Sequence, residues 1–202
     1  MAFTPADFGY VLSVCALILM MPGPTNTLLF SSSLARGFGR TLPLVAAELS
    51  AYLLAISCWG FLLLKLMQMR PWIAMLLKTL AALYIAWLSW KIWRFDHRFE
   101  NTAPITARHV FIATLLNPKA FLFASFVIPG AAFGRWEVYL PAMATFTAAL
   151  VPVSVCWCAL GHLARDGSRR APWLSAGMLL RGAALCLCFF SVSILYSAYV
   201  AS

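Results

Sequence analysis

Glu48 and Lys119 lie inside apolar stretches of this chain, where an unpartnered charge is energetically costly. Glu48 is the only carboxylate within any apolar run, and Lys119 lies well inside a later run. A charge at the centre of a membrane costs about 3 kcal/mol or more, so such residues usually have a partner or a task. Glu48 could bind the ammonium or guanidinium group of a cationic substrate, or carry a proton coupled to transport. Lys119 could bind a carboxylate or neutralise Glu48.

Each of these residues also has a purely structural interpretation. Glu48 closely follows Pro43, near one end of its apolar run, and could form an ion pair with Arg36 or Arg40. Lys119 could lie at the membrane interface if its helix begins late. The sequence leaves these interpretations open.

Prolines interrupt two of the apolar runs. Pro22-Gly23-Pro24 lies within the first run, and Asn117-Pro118 lies within the fourth. Proline lacks an N–H group and its ring clashes with the preceding turn, so neither run can be one regular helix. Backbone groups freed inside a membrane are tolerated only where protein covers them or where they line a watery cavity. The pattern predicts two broken helices.

Both breaks carry groups that could contact a substrate. A half-helix beginning near Pro24 would direct its free N–H groups at a carboxylate, although a kink made only for packing is an alternative. Asn26 and Asn117 could bind the backbone of an α-amino acid, or only satisfy carbonyls that the prolines leave free. The candidate substrate-binding residues are Pro22, Gly23, Pro24, Asn26, Glu48, Asn117, Pro118 and Lys119.

The composition places these residues in a membrane protein. The chain of 202 residues is 63% hydrophobic and only 10% charged. One helix needs about 20 apolar residues to cross a bilayer core, and six runs are long enough. They lie at about 10–34, 42–64, 72–93, 110–128, 138–160 and 177–200. We therefore predict an all-α integral membrane protein with a single transmembrane domain over residues 1–202.

The net charge of +9 follows the membrane topology and does not indicate a nucleic-acid partner. Basic residues are concentrated in the links after runs one, three and five, which the positive-inside rule assigns to the cytoplasm. The six cysteines lie inside apolar runs as packing residues, so we expect no metal ion and no cofactor. The sequence has no phosphate-binding loop and no clustered acid, base or nucleophile set, so we do not expect an enzyme.

A weak internal repeat relates the two halves of the chain. The same tripeptide follows each broken run, as Phe38-Gly39-Arg40 and as Phe133-Gly134-Arg135. Three helices per repeat would force the second copy into inverted topology, which places a site near the membrane midplane. We predict a 3+3 inverted repeat with broken helices one and four.

Three segments resemble motifs of the LysE/RhtB family of amino-acid exporters. They are the stretch at 22–37, similar to the family's first-helix motif, and those at 76–84 and 115–120, similar to its third-helix and fourth-helix motifs. The resemblance implies a multi-pass permease of the bacterial cytoplasmic membrane that exports amino acids or related metabolites by secondary active transport, driven by a proton gradient or the membrane potential. The acidic residue Glu48 is similar to an aspartate in the branch that exports basic amino acids, which makes cationic amino acids one candidate class of substrate.

Two alternatives to amino-acid export stay open. One is a metal-cation exporter, although one carboxylate without clustered histidines or cysteines makes a poor metal site. The other is a membrane enzyme or a non-transporting assembly subunit. The expected partners are a small-molecule substrate and the lipid bilayer, and a homodimer is left open.

Overall fold

The computed structural model describes residues 3–69 and 104–167, together with scattered helical positions at 76–90 and 185–196. Most residues of the predicted runs at 72–93 and 177–200 lie outside the described residues. Every regular element within the two continuous ranges is helical, which agrees with the all-α prediction.

The first predicted run consists of two helices, α1 (Pro5–Met20) and α2 (Pro24–Arg36), with a bend of 61° between them. Residues 21–23, which we term the first break, are not helical. Because Pro22 and Pro24 carry no N–H group, they cannot donate to the carbonyls of the last turn of α1. The predicted break in helix one is confirmed.

The second predicted run is one long helix, α3 (Phe38–Met69), which extends beyond the predicted 42–64 at both ends. Gly37 separates α3 from α2 with φ of 87°, a left-handed conformation that glycine adopts without steric cost. α3 packs against both broken spans. It can therefore present side chains to both breaks.

The fourth predicted run also consists of two helices, α4 (Ala107–Leu115) and α5 (Pro118–Leu122), with a bend of 45°. α5 continues into a π-helical turn at Phe123–Val127. Residues 116–117 form the second break, in which the Asn117 side chain caps α5 by accepting a hydrogen bond of 3.1 Å from the Lys119 backbone N–H. The predicted break in helix four is confirmed.

A short 3-10 turn (Gly130–Gly134) leads into α6 (Trp136–Gly167), which extends beyond the predicted 138–160 at both ends. α3 and α6 are each long and apolar enough to cross a membrane, and each bent pair qualifies as one span. The first of the repeated tripeptides begins α3, and the second directly precedes α6. The inverted repeat itself stays a prediction, because it depends on runs three and six.

α2 and α6 pack with their backbones in close approach. The Ser33 hydroxyl of α2 donates a hydrogen bond of 2.6 Å to the Cys158 carbonyl of α6. A Cβ on Gly161 would lie only 2.3 Å from the Phe30 carbonyl oxygen. Small residues at such crossings allow helices to pack tightly in membranes. The second half of the broken first span is thereby held against α6.

Candidate functional site

Glu48 is fully buried on α3. The Ser154 hydroxyl of α6 donates a hydrogen bond of 2.6 Å to Glu48 Oε2. Within the described part of the chain, Glu48 Oε1 has no hydrogen-bond partner. The alternative of an ion pair with Arg36 or Arg40 is wrong, because Arg36 instead donates to the Ser32 hydroxyl and a backbone carbonyl, while Arg40 is exposed. Among the described residues, one Glu48 oxygen is thus bonded to α6 and the other has no hydrogen-bond partner.

Lys119 on α5 is also buried, with 3% of its surface exposed, so the alternative of an interfacial position is wrong. Its Nζ donates a hydrogen bond of 2.6 Å to the Met21 carbonyl and so links α5 to the first break. Gly23 leaves room for this contact, since a Cβ there would lie 3.2 Å from Nζ. The ammonium is close enough to interact electrostatically with the Glu48 carboxylate. Two opposite charges are thus buried in one region.

Asn26 lies just after the first break and supports its backbone. Its side-chain Nδ2 donates to the Leu19 carbonyl at 2.7 Å and to the Met21 carbonyl at 2.9 Å. Both hydrogens of the amide are used in this way. Asn26 therefore performs the structural role considered from the sequence, and its amide oxygen is the atom that it can offer to a ligand.

A chain of buried polar side chains joins the two breaks. Asn117 Nδ2 donates to Tyr52 Oη at 2.9 Å and to Thr25 Oγ1 at 3.3 Å. Thr25 Oγ1 in turn lies 3.1 Å from Thr114 Oγ1. The four residues come from the second break, α3, α2 and α4. The network therefore fixes where these four elements meet.

The proline and glycine candidates contribute through the backbone. Pro24 and Pro118 are the first residues of α2 and α5, and Gly23 is the N-cap of α2 in an extended conformation. Pro22 lies in the middle of the first break. These residues set the course of the backbone at the two breaks, and Glu48 and Lys119 are the buried ionisable side chains of this region.

Sequence reasoning missed four polar residues of this region, namely Thr25, Tyr52, Thr114 and Ser154. Tyr52 could have been found, because it lies four residues after Glu48 and so shares its helix face. Thr25 belongs to the first proline motif. Ser154 and Thr114 have no comparable signal, since their contacts depend on how distant segments pack.

Two broken helices with buried ionisable side chains near them are typical of membrane transporters. The chain belongs to the LysE type translocator family, whose model matches residues 16–198. It is an exporter of amino acids or related small metabolites and a multi-pass protein of the bacterial cytoplasmic membrane. The predicted membership of the LysE/RhtB exporters is confirmed.

Similar proteins include the cysteine/O-acetylserine efflux proteins of Escherichia coli strain UTI89 and Salmonella typhimurium strain LT2. Each is 28% identical to this chain over 171 residues, covering 79% of this chain and 85% of the relative. No solved structure matches the chain significantly.

Proposed function

We propose that this protein exports small neutral amino acids in exchange for protons and binds them as zwitterions between the two breaks. Lys119 binds the substrate carboxylate, and Glu48 binds its ammonium group. The observation that carries the proposal is the pair of opposite charges, exposed by only 3% and 0%, in one region of the bundle. A zwitterion complements both charges at once, whereas an ion of one sign complements only one of them.

Cationic amino acids, one candidate class of substrate named from the sequence, fit this region less well. Their second positive charge would lie near Lys119, and two like charges at roughly 4 Å repel by about 4 kcal/mol at an effective dielectric constant near 20. A metal cation would meet the same repulsion. The relatives point in the same direction, since cysteine and O-acetylserine, the compounds in their names, are neutral zwitterions.

The charge of the substrate decides how export can be driven. A neutral zwitterion moves no net charge, so the membrane potential alone does no work on it. A proton moving inward would supply the driving force. We propose that Glu48 holds either the substrate ammonium or a proton, so that release of one allows the other to bind. Ser154 holds Oε2 in both states and leaves Oε1 for the exchange.

The remaining candidate residues shape this site. Pro22, Gly23, Pro24 and Pro118 open the two helices, while Asn26 and Asn117 hold the opened segments in place. We propose that residues 1–202 form one permease domain. Because each chain carries both breaks and both charges, a homodimer would contain two separate sites.

Glu48→Gln tests the proposal, because glutamine keeps the shape of the side chain but has neither the charge nor the exchangeable proton. Cells lacking this protein would be loaded with dipeptides that release cysteine, serine, lysine or arginine, and intracellular retention would be measured. We expect cells that express the wild-type protein to retain less cysteine and serine than cells lacking it. Cells that express Glu48→Gln should retain as much of both amino acids as cells lacking the protein. Glu137→Gln changes an exposed carboxylate in the first turn of α6 and should export normally.

Membrane levels of all variants would be measured beside retention. Normal export by Glu48→Gln would show that the carboxylate has no role in coupling. If the wild-type protein lowered the retention of lysine and arginine only, cationic amino acids would be the substrates.

A further inference from the structure

The described residues form two separate apolar clusters. The larger one is the main core, which includes Tyr52 and several residues of α1. The smaller one, which we term the apolar layer, takes residues from α2, α3, α4 and α6, and none of them is exposed by more than 8%. It consists of Leu29, Leu44, Val45, Val110 and Cys158. Four helices therefore meet at the apolar layer, apart from the main core.

The apolar layer lies one helical turn from the candidate site. On each of the four helices, one member of the layer is spaced four residues from a buried polar residue of the site region. The pairs are Thr25 and Leu29 on α2, Glu48 and Leu44 on α3, Thr114 and Val110 on α4, and Ser154 and Cys158 on α6. Residues at this spacing share a helix face and lie about 6 Å apart along the axis. A polar level and an apolar level are thus stacked along the same four helices.

On all four helices the apolar residue is displaced towards one end of the bundle, where α2 and α6 end and α3 and α4 begin. Arg36 at the end of α2 donates a hydrogen bond to the Ile105 carbonyl just before α4. The ring centroid of Phe38, the first residue of α3, lies 6.5 Å from that of His162 near the end of α6. The positive-inside rule assigns this end to the cytoplasm, because the basic links after runs one, three and five lie there. Among the described helices, the apolar layer therefore lies between the site and the cytoplasm.

We propose that the apolar layer is the cytoplasmic gate of the exporter. The inference rests on the proposed function, which places the substrate at the polar level. An exporter loads its substrate from the cytoplasm, so the layer must part in each cycle to admit it. Apolar constrictions exclude water and ions while they are closed. The packed layer therefore keeps cytoplasmic water and protons from Glu48 until the gate parts.

Hydrogen bonds close the gate on its cytoplasmic side. Ser32 Oγ on α2 lies 3.1 Å from Thr41 Oγ1 on α3. These two residues lie seven positions, or about two turns, from Thr25 and Glu48 of the polar level. The Arg36 side chain donates to Ser32 Oγ at 2.8 Å and also joins α2 to the segment before α4. Because these contacts link three of the helices that form the layer, they break when the layer parts.

The test measures from which side of the membrane the Cys158 thiol can be reached. Cys158 is kept as the single cysteine of a variant that carries Cys15→Ala, Cys58→Ala, Cys156→Ala, Cys186→Ala and Cys188→Ala. A membrane-impermeant maleimide is added to right-side-out spheroplasts or to inside-out membrane vesicles that contain this variant. We expect labelling of Cys158 in the inside-out vesicles only, because the gate exposes the thiol to the cytoplasm each time it parts.

Leu44→Ala in the same background tests whether the layer limits access. Alanine removes buried packing from the closed gate, so we expect Cys158 to be labelled at least about tenfold faster. Leu42→Ala, on the same helix but 37% exposed, is the matched control and should leave the rate unchanged. A second control carries Cys158→Ala and keeps Cys15 instead, which is fully buried in the main core and should stay unlabelled from both sides. Membrane levels of all variants would be measured beside the labelling rates.

Three outcomes would overturn the inference. Labelling of Cys158 from the outer side, or from neither side, would show that the layer does not open to the cytoplasm. Equal labelling rates in Leu44→Ala and Leu42→Ala would show that the layer does not limit access. The comparison of the two sides decides the matter even if Leu44→Ala does not reach the membrane. If the wild-type protein does not export serine but Cys158 is labelled from the cytoplasmic side only, the proposed function is rejected and the gate stands.

Discussion

The two helix breaks are built from similar residues but satisfy their backbones differently. At the first break, the carbonyls of Leu19 and Met21 accept hydrogen bonds from the side chains of Asn26 and Lys119. At the second break, the Asn117 backbone N–H donates to the Thr114 carbonyl at 3.0 Å, and its side chain caps α5. The first break bends by 61° and the second by 45°. The first break, which bends more sharply, thus receives its hydrogen bonds from side chains outside the break. One of these donors, Lys119, directly follows the second break.

This difference gives the two breaks unequal roles in binding. Lys119, just after the second break, donates to the Met21 carbonyl, and Asn117, in the second break, donates to Thr25 of the first span. A substrate carboxylate could take up the donors of the second break. A substrate ammonium could use the acceptors of the first break together with Glu48. Substitutions at the second break should therefore impair transport more than substitutions at the first.

Lys119→Met should have the largest effect. Methionine has a similar length but no charge, so the variant loses the carboxylate partner, and the Met21 carbonyl loses a donor. A hydrogen bond to a charged group contributes about 1.5–3 kcal/mol, so we expect loss of the substrate carboxylate's partner to lower initial efflux rates in proteoliposomes by about 100-fold. Lys65→Met, at an exposed position on α3, is the control and should export within about twofold of the wild-type rate. Near-normal export by Lys119→Met would show that the second break does not bind the carboxylate.

Asn117→Ala and Asn26→Ala compare the breaks directly and should have intermediate effects. Asn117→Ala removes the donors to Tyr52 and Thr25, and we expect efflux to fall about tenfold with a raised KM. Asn26→Ala leaves carbonyls of the first break without a side-chain donor, and we expect a loss of about 2 kcal/mol in stability with little change in KM. Transport kinetics and thermal unfolding in detergent would measure both. An equal rise in KM for the two variants would remove the distinction between the breaks.

Both breaks could be predicted from the sequence because proline acts locally. Pro22 and Pro118 lack an N–H group whatever the rest of the fold does. The burial of Glu48 and Lys119 could likewise be inferred from the apolar runs around them. The partners of these side chains could not be predicted, since Lys119 reaches the Met21 carbonyl across 98 positions of sequence.

The helix ends and one ion pair show where sequence reasoning failed. Hydropathy marks only the apolar part of a helix, whereas α3 and α6 continue into polar segments that contain Lys65 and Arg165. Nearness in sequence suggested an ion pair of Glu48 with Arg36 or Arg40 as an alternative to a functional role. In the fold, Arg36 contacts Ser32, and Glu48 is bonded to α6.

Gly23→Ala should have the smallest effect and isolates the contact between the breaks. The glycine has φ of −165° and ψ of 175°, an extended conformation that alanine also adopts, so no backbone strain is expected. The new methyl group would lie 3.2 Å from Lys119 Nζ and should push the ammonium a little away from the Met21 carbonyl. We expect a KM about threefold higher, equivalent to a weakened hydrogen bond, with unchanged thermal stability. Gly9→Ala, where a Cβ meets nothing within 4 Å, is the matched control and should leave the KM unchanged. If the two alanine variants have the same KM, the position of Lys119 beside the first break does not matter for binding, and the unequal roles of the two breaks lose their geometric basis.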